Sequence, residues 1–571
     1  MKLIGQVRPL PTLIIVLGIA MLIAGCTALT PQRTVPVNLP SPTEVISTAT
    51  PAVIEKTEPV TPTPRIEPAP TETPEDTPPV KGPAPVTLIN PGFEERDADG
   101  KITGWNQSGS EEAIISEDRG HSGDFRLTHK AAGDYKVETW QAVSGLTNDW
   151  YTLRAWVRSS GGQNEVYLAL KCGEQEKRVY VPPTTPGYRW ISLVVSNQVT
   201  DGGCTISLNS DGNPDTWASF DDIELVPGRV ALTYLGADIS SLKKSEDKGG
   251  VYKYSDGRQA DALQILKDYG MNNARLRVWV NPADGYHNKA ELLEMATRLK
   301  SHGMKLLVDF HYSDDWADPG KQNKPAAWKD YDFEQLKQAV YDHTYDVCSS
   351  LVAQGTPPDM VQVGNEINAG MLWPDGDYNH FDNLAALIKE GYQAVKDCSS
   401  STLVMLHIAE GGDNEMARWW FGNITSRDVP FDVIGISYYP FWHGSLAELQ
   451  ANLNDISARY DKDVIVAETA YAFTDQEDDF LANIANPSMV IPGYPFTPEG
   501  QRMMLRDIIS VVRGVTNGRG LGIFYWDATW TAVPGNGWET TDPQSGNAWE
   551  NQALFDFNDR ALPALEEFLT P

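Results

Sequence analysis

Two glutamates, Glu366 and Glu468, each end an apolar run of the kind that forms a buried β-strand. Cleavage of a glycosidic bond needs two carboxyl groups in different protonation states, one to protonate the leaving oxygen and one to act at the sugar carbon. Asn365, beside Glu366, can donate a hydrogen bond to a sugar hydroxyl, and Trp526 offers a flat face on which a sugar ring can stack. These residue types predict a site for a carbohydrate.

Polar and aromatic residues also follow the other apolar runs. Those that we predict to contact substrate are Arg277, Asp309, His311, Asn365, Tyr438, Tyr439 and Trp526. Arg277, with one of the two tyrosines, is expected to keep Glu468 ionised through its charge and a hydrogen bond. Any one of these residues could be an ordinary structural group, but their shared position at strand ends favours a common site.

The elements that must position these residues are eight strand-like runs with helical periodicity between them. The runs are 234–239, 274–280, 305–310, 360–363, 403–408, 432–436, 464–467 and 522–525. A doubly wound open sheet is the alternative, but it would need a glycine-rich phosphate loop after its first strand, and residues 236–240 do not form one. We therefore predict an α/β fold with a (β/α)8 TIM barrel over residues 229–571, whose strand ends meet at one face.

Several runs around these positions resemble family 53 of the glycoside hydrolases, the clan A retaining arabinogalactan endo-β-1,4-galactanases. They include Arg275-Leu276-Arg277-Val278-Trp279, Asp309-Phe310-His311, Gly364-Asn365-Glu366, Ser437-Tyr438-Tyr439-Pro440 and Glu468-Thr469-Ala470-Tyr471, in that order. The resemblance implies endo-hydrolysis of β-1,4-galactan in type I arabinogalactan, with Glu366 as acid/base and Glu468 as nucleophile. It implies no required cofactor.

A structural calcium ion is left open by the same resemblance. Bacterial members often carry a calcium loop after the seventh strand, with acidic residues, a histidine and an asparagine. The corresponding segment here, 474–483, has the acidic residues and Asn483, but Leu481 stands where the histidine would be. A solvated acidic loop is the other interpretation, and we predict no metal ligands here.

Two other functions are also left open. The chain could be a carbohydrate-binding surface protein with an inactive barrel, but both glutamates and their supporting residues are present. It could be a clan A enzyme that acts on xylan or mannan. The runs Trp279-Val280-Asn281-Pro282 and Trp316-Ala317-Asp318-Pro319 favour galactan.

The N-terminus carries an export signal. Lys2 and Arg8 precede an apolar run that ends in Ile23-Ala24-Gly25-Cys26, which predicts a lipoprotein signal peptide over residues 1–25 and a lipid on Cys26. Plain secretion is the alternative. Residues 26–85 are rich in proline and threonine and predict a disordered linker. We therefore expect a monomer anchored by its lipid to the outer face of a bacterial cell envelope.

The charge of the chain limits its partners. There are 77 acidic and 46 basic residues, for a formal net charge of −31. Such a surface repels nucleic acid and offers no basic patch for anionic lipid, so a neutral substrate fits better.

A second folded segment, 86–228, has short alternating runs separated by Gly, Asn, Asp and Pro, which predict a jelly-roll β-sandwich. Its ends, Asn90-Pro91-Gly92-Phe93-Glu94 and Phe220-Asp221-Asp222-Ile223-Glu224-Leu225, resemble those of carbohydrate-binding modules. A structural sandwich without a ligand is the alternative. The candidate sugar platforms are Trp105, Trp140, Trp150 and Tyr188, although each of these residues, taken singly, is more often part of a core.

The four cysteines beyond Cys26 predict two disulfides, as expected for an exported protein. We pair Cys172 with Cys204 and Cys348 with Cys398, because each pair lies within one predicted domain.

Overall fold

The computed structural model describes residues 85–569, which form a β-sandwich followed by a closed barrel. The predicted signal peptide, Cys26 and the linker up to residue 84 lie outside the described residues. Within the described part of the chain, no helix has the length and apolar character needed to cross a membrane.

The sandwich consists of two antiparallel five-stranded sheets, in the orders β1-β4-β9-β6-β7 and β2-β3-β10-β5-β8. The strands are β1 Asn106–Gly109, β2 Ile114–Asp118, β3 Phe125–Lys130, β4 Tyr135–Ser144, β5 Trp150–Ser159, β6 Glu165–Cys172, β7 Gln175–Tyr180, β8 Ile191–Gln198, β9 Gly203–Gly212 and β10 Trp217–Pro227. Alternate residues of each strand face the other sheet, so Leu153, Ala155 and Val157 of β5 are fully buried.

Eight parallel strands close the barrel in chain order, which confirms the predicted fold. They are β11 Tyr234–Asp238, β12 Asn273–Val278, β13 Lys305–Phe310, β14 Met360–Val363, β17 Leu403–Ile408, β18 Val433–Ser437, β19 Asp463–Thr469 and β20 Gly520–Tyr525, and a small hairpin pairs β15 Gly370–Met371 with β16 Gly376–Asp377. Every barrel strand lies within two residues of its predicted bounds.

The helices pack around the barrel. They are α1 Leu242–Asp247, α2 Ala262–Asp268, α3 Lys289–Ser301, α4 Phe333–Ala353, α5 Phe381–Cys398, α6 Asn414–Thr425, α7 Leu446–Tyr460 and α8 Pro498–Arg513. Capping boxes fix the starts of two of them, Asp332 with Gln335 at α4 and Ser445 with Glu448 at α7.

Both expected disulfides are present. Cys172 at the end of β6 is bonded to Cys204 in β9. Cys348 in α4 is bonded to Cys398 at the end of α5, with Cα atoms 6.1 Å apart, so the bond joins neighbouring helices of the outer ring.

The sandwich packs on the barrel through strand β8. The side chain of Gln450, in α7, is buried and acts like a neighbouring strand: its Oε1 accepts from the Ser192 N–H at 2.6 Å, and its Nε2 donates to the Ser192 carbonyl at 2.8 Å. Gly514, after α8, lies against the same carbonyl, where an added Cβ would come within 2.0 Å of the oxygen. The sandwich and barrel therefore share a close-packed interface.

The candidate sugar platforms of the sandwich differ in exposure. Trp105 is buried and donates its indole N–H to the Asn90 carbonyl, so it is a core residue and that expectation is wrong. Trp140 and Trp150 are half-buried, and the Arg229 guanidinium covers the Trp150 ring. Tyr188 is 48% exposed.

Candidate active site

Glu366 and Glu468 line one cavity of about 280 Å³ at the C-terminal end of the barrel. Glu366 follows β14 and has a left-handed backbone with φ of 46°, a strained conformation for a residue with a side chain. Gly364, at φ of 83°, makes the preceding turn, and a Cβ there would lie 2.6 Å from Ile367. The Gly364-Asn365-Glu366 run thus makes the sharp turn that carries Glu366.

Arg275 holds the Glu468 carboxylate. Its guanidinium lies 2.8 Å from a Glu468 oxygen and also contacts Asp238 at 2.9 Å and Asp309 at 2.8 Å. The same nitrogen that contacts Asp309 donates to Asn365 Oδ1 at 2.8 Å. Because Arg275 is almost fully buried, this network fixes both the charge and the position of Glu468.

The expectation that Arg277 plays this part is wrong. Arg277 donates from both terminal nitrogens to Asp527, at 2.9 Å each, and its guanidinium lies over the Trp316 ring. Residues two apart share one face of a strand, so Arg275 and Arg277 both point into the barrel. Arg275, which lies deeper in the barrel, is at the level of Glu468 and contacts it. Arg277 lies nearer the strand end and contacts Asp527 instead.

The two predicted tyrosines, Tyr438 and Tyr439, have different hydrogen-bond partners in the structure. Tyr439 donates its hydroxyl proton to Glu468 Oε2 at 2.9 Å and lines the cavity. Tyr438 donates to the Gly444 carbonyl at 3.0 Å and does not line the cavity. Consecutive residues of an extended chain point to opposite sides, so only one of the two can reach Glu468. The expectation of substrate contact at Tyr438 is therefore wrong.

Of Asp309 and His311, only His311 reaches the cavity. Asp309 is fully buried beneath the cavity and accepts hydrogen bonds from Arg275 and Gln362, so it cannot touch substrate as predicted. His311 lines the cavity. Its Nδ1 accepts from Trp279 and from the Ala317 N–H, which leaves Nε2 to donate to Asp309 at 3.0 Å.

Burial raises the pKa of both catalytic candidates, but by different amounts. At Glu468 the Arg275 charge and the Tyr439 hydrogen bond oppose burial, and the pKa is about 7. At Glu366 the Glu468 charge adds to burial, and the pKa lies well above its ordinary value. Glu468 therefore loses its proton first, and Glu366 keeps its proton beside an ionised neighbour.

Aromatic side chains form most of the remaining wall. Asn365 and Trp526, which the sequence predicts to contact substrate, line the cavity. Sequence reasoning missed Trp442, Trp538 and Trp549, which also line it. These three tryptophans come from loops, so the rule that sites lie at strand ends gives no signal for them.

The acidic loop after β19 is held by main-chain hydrogen bonds. The Glu550 carboxylate accepts from the N–H groups of Asp478 and Asp479, and Asp479 accepts from Leu481 and Asn547. Between residues 85 and 569 no group of three or more His, Cys, Asp or Glu side chains is arranged to hold a metal ion. Main-chain N–H groups therefore hold the carboxylates of Glu550 and Asp479 in this loop.

Known proteins resemble the barrel over its whole length. The family model for glycosyl hydrolase family 53 matches residues 234–568. The endo-β-1,4-galactanase of Bacillus subtilis is 34% identical over 367 residues, which cover 58% of this chain and 84% of that protein. The arabinogalactan endo-β-1,4-galactanase A of Aspergillus niger is 38% identical over 313 residues, covering 53% of this chain and 86% of that one. The GH53 catalytic domain of Ignisphaera aggregans is 40% identical with a TM-score of 0.57, covering 60% of this chain and 97% of that domain.

Proposed function

This chain belongs to glycosyl hydrolase family 53, and from that premise we propose that its barrel hydrolyses internal β-1,4-galactosidic bonds of galactan with retention. Glu366 is the acid/base and Glu468 the nucleophile. The observation that carries these roles is the unequal environment of the two carboxyl groups. Arg275 and Tyr439 stabilise the anion of Glu468, while burial and the Glu468 charge keep Glu366 protonated.

The first step forms a glycosyl-enzyme. The Glu468 carboxylate attacks the anomeric carbon as Glu366 gives its proton to the glycosidic oxygen, and the bond between that carbon and that oxygen breaks. The leaving chain departs with a new hydroxyl group. The product on the enzyme is an ester of Glu468 beside an ionised Glu366.

The second step uses Glu366 as a base. Esterification removes the negative charge of Glu468, so the pKa of Glu366 falls and its carboxylate can take a proton from water. The water oxygen bonds to the anomeric carbon, the ester bond breaks, and Glu468 leaves as a carboxylate. Two inversions give net retention.

The substrate class is tested by a reducing-sugar assay on galactan, xylan and mannan. We expect activity on galactan and at most weak activity on the other two. Glu468→Ala should abolish turnover on galactan. A Glu468→Ala variant with wild-type activity would reject the assignment, and equal rates on xylan would reject the substrate.

The chain is further proposed to act at the outer face of the cell envelope as a monomer, held by a lipid on Cys26. The apolar run and the small residues before Cys26 support this. Partition of the expressed protein into a detergent phase, lost in Cys26→Ser, is the expected result. Equal partition of both forms would contradict the anchor.

Catalysis is proposed to need no cofactor, since two carboxyl groups supply both proton transfer and the nucleophile. The loop at Asp478 and Asp479 is proposed to be a solvated acidic loop without a structural calcium ion. Unfolding temperatures measured with and without a calcium chelator test it, and a fall on chelation would show a bound ion.

The sandwich, 86–228, is proposed to be a carbohydrate-binding module. The exposed ring of Tyr188 and the half-buried tryptophans of the sandwich support this, as does its close packing on the barrel.

A further inference from the structure

Glu410 is a carboxyl residue of the catalytic cavity that the two reaction steps do not use. It lies two residues beyond the end of β17 and lines the cavity together with Glu366 and Glu468. Its backbone is left-handed, with φ of 65°, which a residue with a side chain rarely adopts. Such a conformation persists only where the surrounding structure imposes it, and residues of this kind cluster at functional sites.

Hydrogen bonds hold the chain on both sides of Glu410. Before it, the Ala409 N–H donates to Oδ1 of Asn368 at 2.7 Å, and Asn368 lies in the short helix that follows the acid/base. After it, the Gly411 N–H donates to the Ser437 carbonyl at 2.9 Å. The position of Glu410 relative to the turn that carries the acid/base is therefore fixed.

The carboxylate of Glu410 has no hydrogen-bond donor from the protein. Within the described part of the chain, no N–H or O–H group donates to it. Asp318, the other carboxyl of the cavity outside the catalytic pair, differs, since it accepts from the Gly320 N–H at 2.7 Å. Burial raises the pKa of Glu410, and the nearby Asp413 charge adds to this effect. A half-buried carboxylate without a donor gains from a ligand hydroxyl group that supplies one.

The cavity has two unlike ends. At one end, Trp316 contacts Trp526 and Trp538, with ring centres 6.0 and 6.1 Å away. The Arg277 guanidinium, from β12, lies over the Trp316 ring, so this group of tryptophans lies on the β12 side of the barrel mouth. Glu410 follows β17, which is three strands away from β12 around the barrel. The aromatic end and the Glu410 end therefore face each other across the mouth.

The acid/base shows which end receives the leaving sugar. Glu366 follows β14, the strand that pairs with β17. Because Glu366 must reach the glycosidic oxygen, the sugar beyond that oxygen lies on its side of the cleavage point. Glu468 lies in β19, beside the strand that Trp526 follows. The attacked sugar thus lies toward the tryptophans, and the leaving sugar lies toward Glu410.

The charge of the cavity disfavours an acidic sugar. Of the described residues that line it, four carry carboxyl groups and none is a lysine or an arginine. A further negative charge beside Glu410 is repelled, and partial burial strengthens the repulsion because the local dielectric is low. A neutral sugar can donate a hydroxyl to Glu410, whereas a sugar with a carboxylate at C6 would meet a like charge there.

From these observations we propose that Glu410 selects the leaving sugar: its carboxylate accepts a hydrogen bond from a neutral galactosyl unit and excludes a unit that carries a carboxylate at C6. This rests on the proposed function for the reaction and for the identity of the glycan. The barrel then cuts only those bonds whose leaving chain begins with a neutral sugar.

The first test compares two leaving groups. The measured quantity is the ratio of kcat/KM on galactan to kcat/KM on an aryl galactobioside, whose leaving group has no sugar hydroxyl. Glu410→Asn suits the left-handed backbone but is too short for the contact, so this ratio should fall roughly tenfold. The matched control is Glu415→Asn, at an exposed position in the first turn of α6, which should keep the wild-type ratio. An equal fall on both substrates would overturn the proposal.

The second test uses galactan in which a fraction of the C6 positions has been oxidised to carboxylates. Each cleavage turns the leaving sugar into a new non-reducing end, so sequencing of the products by mass spectrometry identifies that sugar. Wild type should produce neutral new ends only. Glu410→Gln keeps the size of the side chain without its charge, so it should also produce acidic ends, whereas Glu415→Gln should not. Acidic ends as frequent from wild type as from Glu410→Gln would contradict the exclusion.

Unfolding temperatures check that each variant folds. If Glu410→Asn does not fold, Glu410→Gln still tests the proposal, because it preserves the size of the side chain. Wild type without activity on unmodified galactan would reject the proposed function and this inference with it. Wild type with that activity, together with an unchanged ratio and unchanged product ends in the Glu410 variants, would reject this inference alone.

Discussion

The guanidinium of Arg275 lies 2.8 Å from the carboxylate of Glu468, and both side chains are buried. Glu468 must be ionised to attack, so kcat/KM falls as the pH drops below the pKa of Glu468. Arg275→Lys weakens the stabilisation of the anion and should move this acid limb to higher pH by about 1 to 2 units. The pH profile of kcat/KM measures the shift.

Arg277→Lys is the matched control for that experiment. Arg277 pairs with Asp527 and not with Glu468, so its replacement should leave the acid limb in place even if the rate changes. A larger shift in Arg277→Lys than in Arg275→Lys would contradict the structural assignment.

Glu366 should determine the pH at which kcat/KM falls on the alkaline side of the pH profile. It acts protonated, and burial together with the Glu468 charge raises its pKa, so activity declines only as the pH rises through that raised value. Glu366→Ala should lose about 10²- to 10⁴-fold activity on galactan. On an aryl galactobioside, whose leaving group needs no proton, it should keep more activity and show no alkaline limb. An alkaline limb unchanged in Glu366→Ala would assign it to another group.

The stereochemistry tests the nucleophile. In Glu468→Gly, azide can occupy the space of the lost carboxylate and attack the anomeric carbon from that side. The expected product is an α-galactosyl azide, whereas wild type should first release the β-anomer. Proton NMR of the first-formed products distinguishes these outcomes, and an initial α-anomer from wild type would reject retention.

The disulfide between Cys348 and Cys398 closes a loop with a sequence separation of 50. In the chain-entropy model, its loss costs ~4 kcal/mol. Cys348→Ser with Cys398→Ser should therefore unfold at lower denaturant concentration than wild type. Active-site geometry does not depend on this bond, so kcat at low temperature should be unchanged.

Residue 514 must be glycine because the sandwich lies against it. The backbone of Gly514 itself has an ordinary helical φ of −75°, which other residues can adopt. Gly514→Ala brings a methyl group against the Ser192 carbonyl and should destabilise the protein by about 1–3 kcal/mol. Gly422→Ala, inside α6 with only an ordinary contact at 3.6 Å, is the control and should be neutral or stabilising by up to about 1 kcal/mol. Equal unfolding temperatures for the two variants would contradict the interface.

Much of the barrel could be predicted because each strand is a short apolar run. Glu366 and Glu468 were found for the same reason, since they end such runs. The sequence predicted Arg277 and not Arg275 as the partner of Glu468, which is wrong, because both arginines point inward and only the depth of Glu468 in the barrel decides between them. The choice between Tyr438 and Tyr439 needs the direction in which the chain leaves β18.

Other features had no local signal. Trp538 and Trp549 reach the cavity from loops whose path depends on tertiary packing. Gln450 is a polar residue in a helix and would ordinarily be assigned to solvent, yet it is buried against the sandwich. The sequence therefore does not predict the contact between the sandwich and the barrel.

The two hydrogen bonds between Gln450 and Ser192 fix the distance between the sandwich and the catalytic cavity of the barrel. A flexible tether would let a binding module reach galactan chains of any size, but a docked sandwich would hold the sugar surface proposed for it at one separation from the cleavage point. Chains too short to span that distance gain nothing from the sandwich, while longer ones gain the effective concentration of a second attachment. If the sandwich binds galactan as proposed, catalytic efficiency should rise in a step with chain length, and oligomers below the step should be cut without that gain.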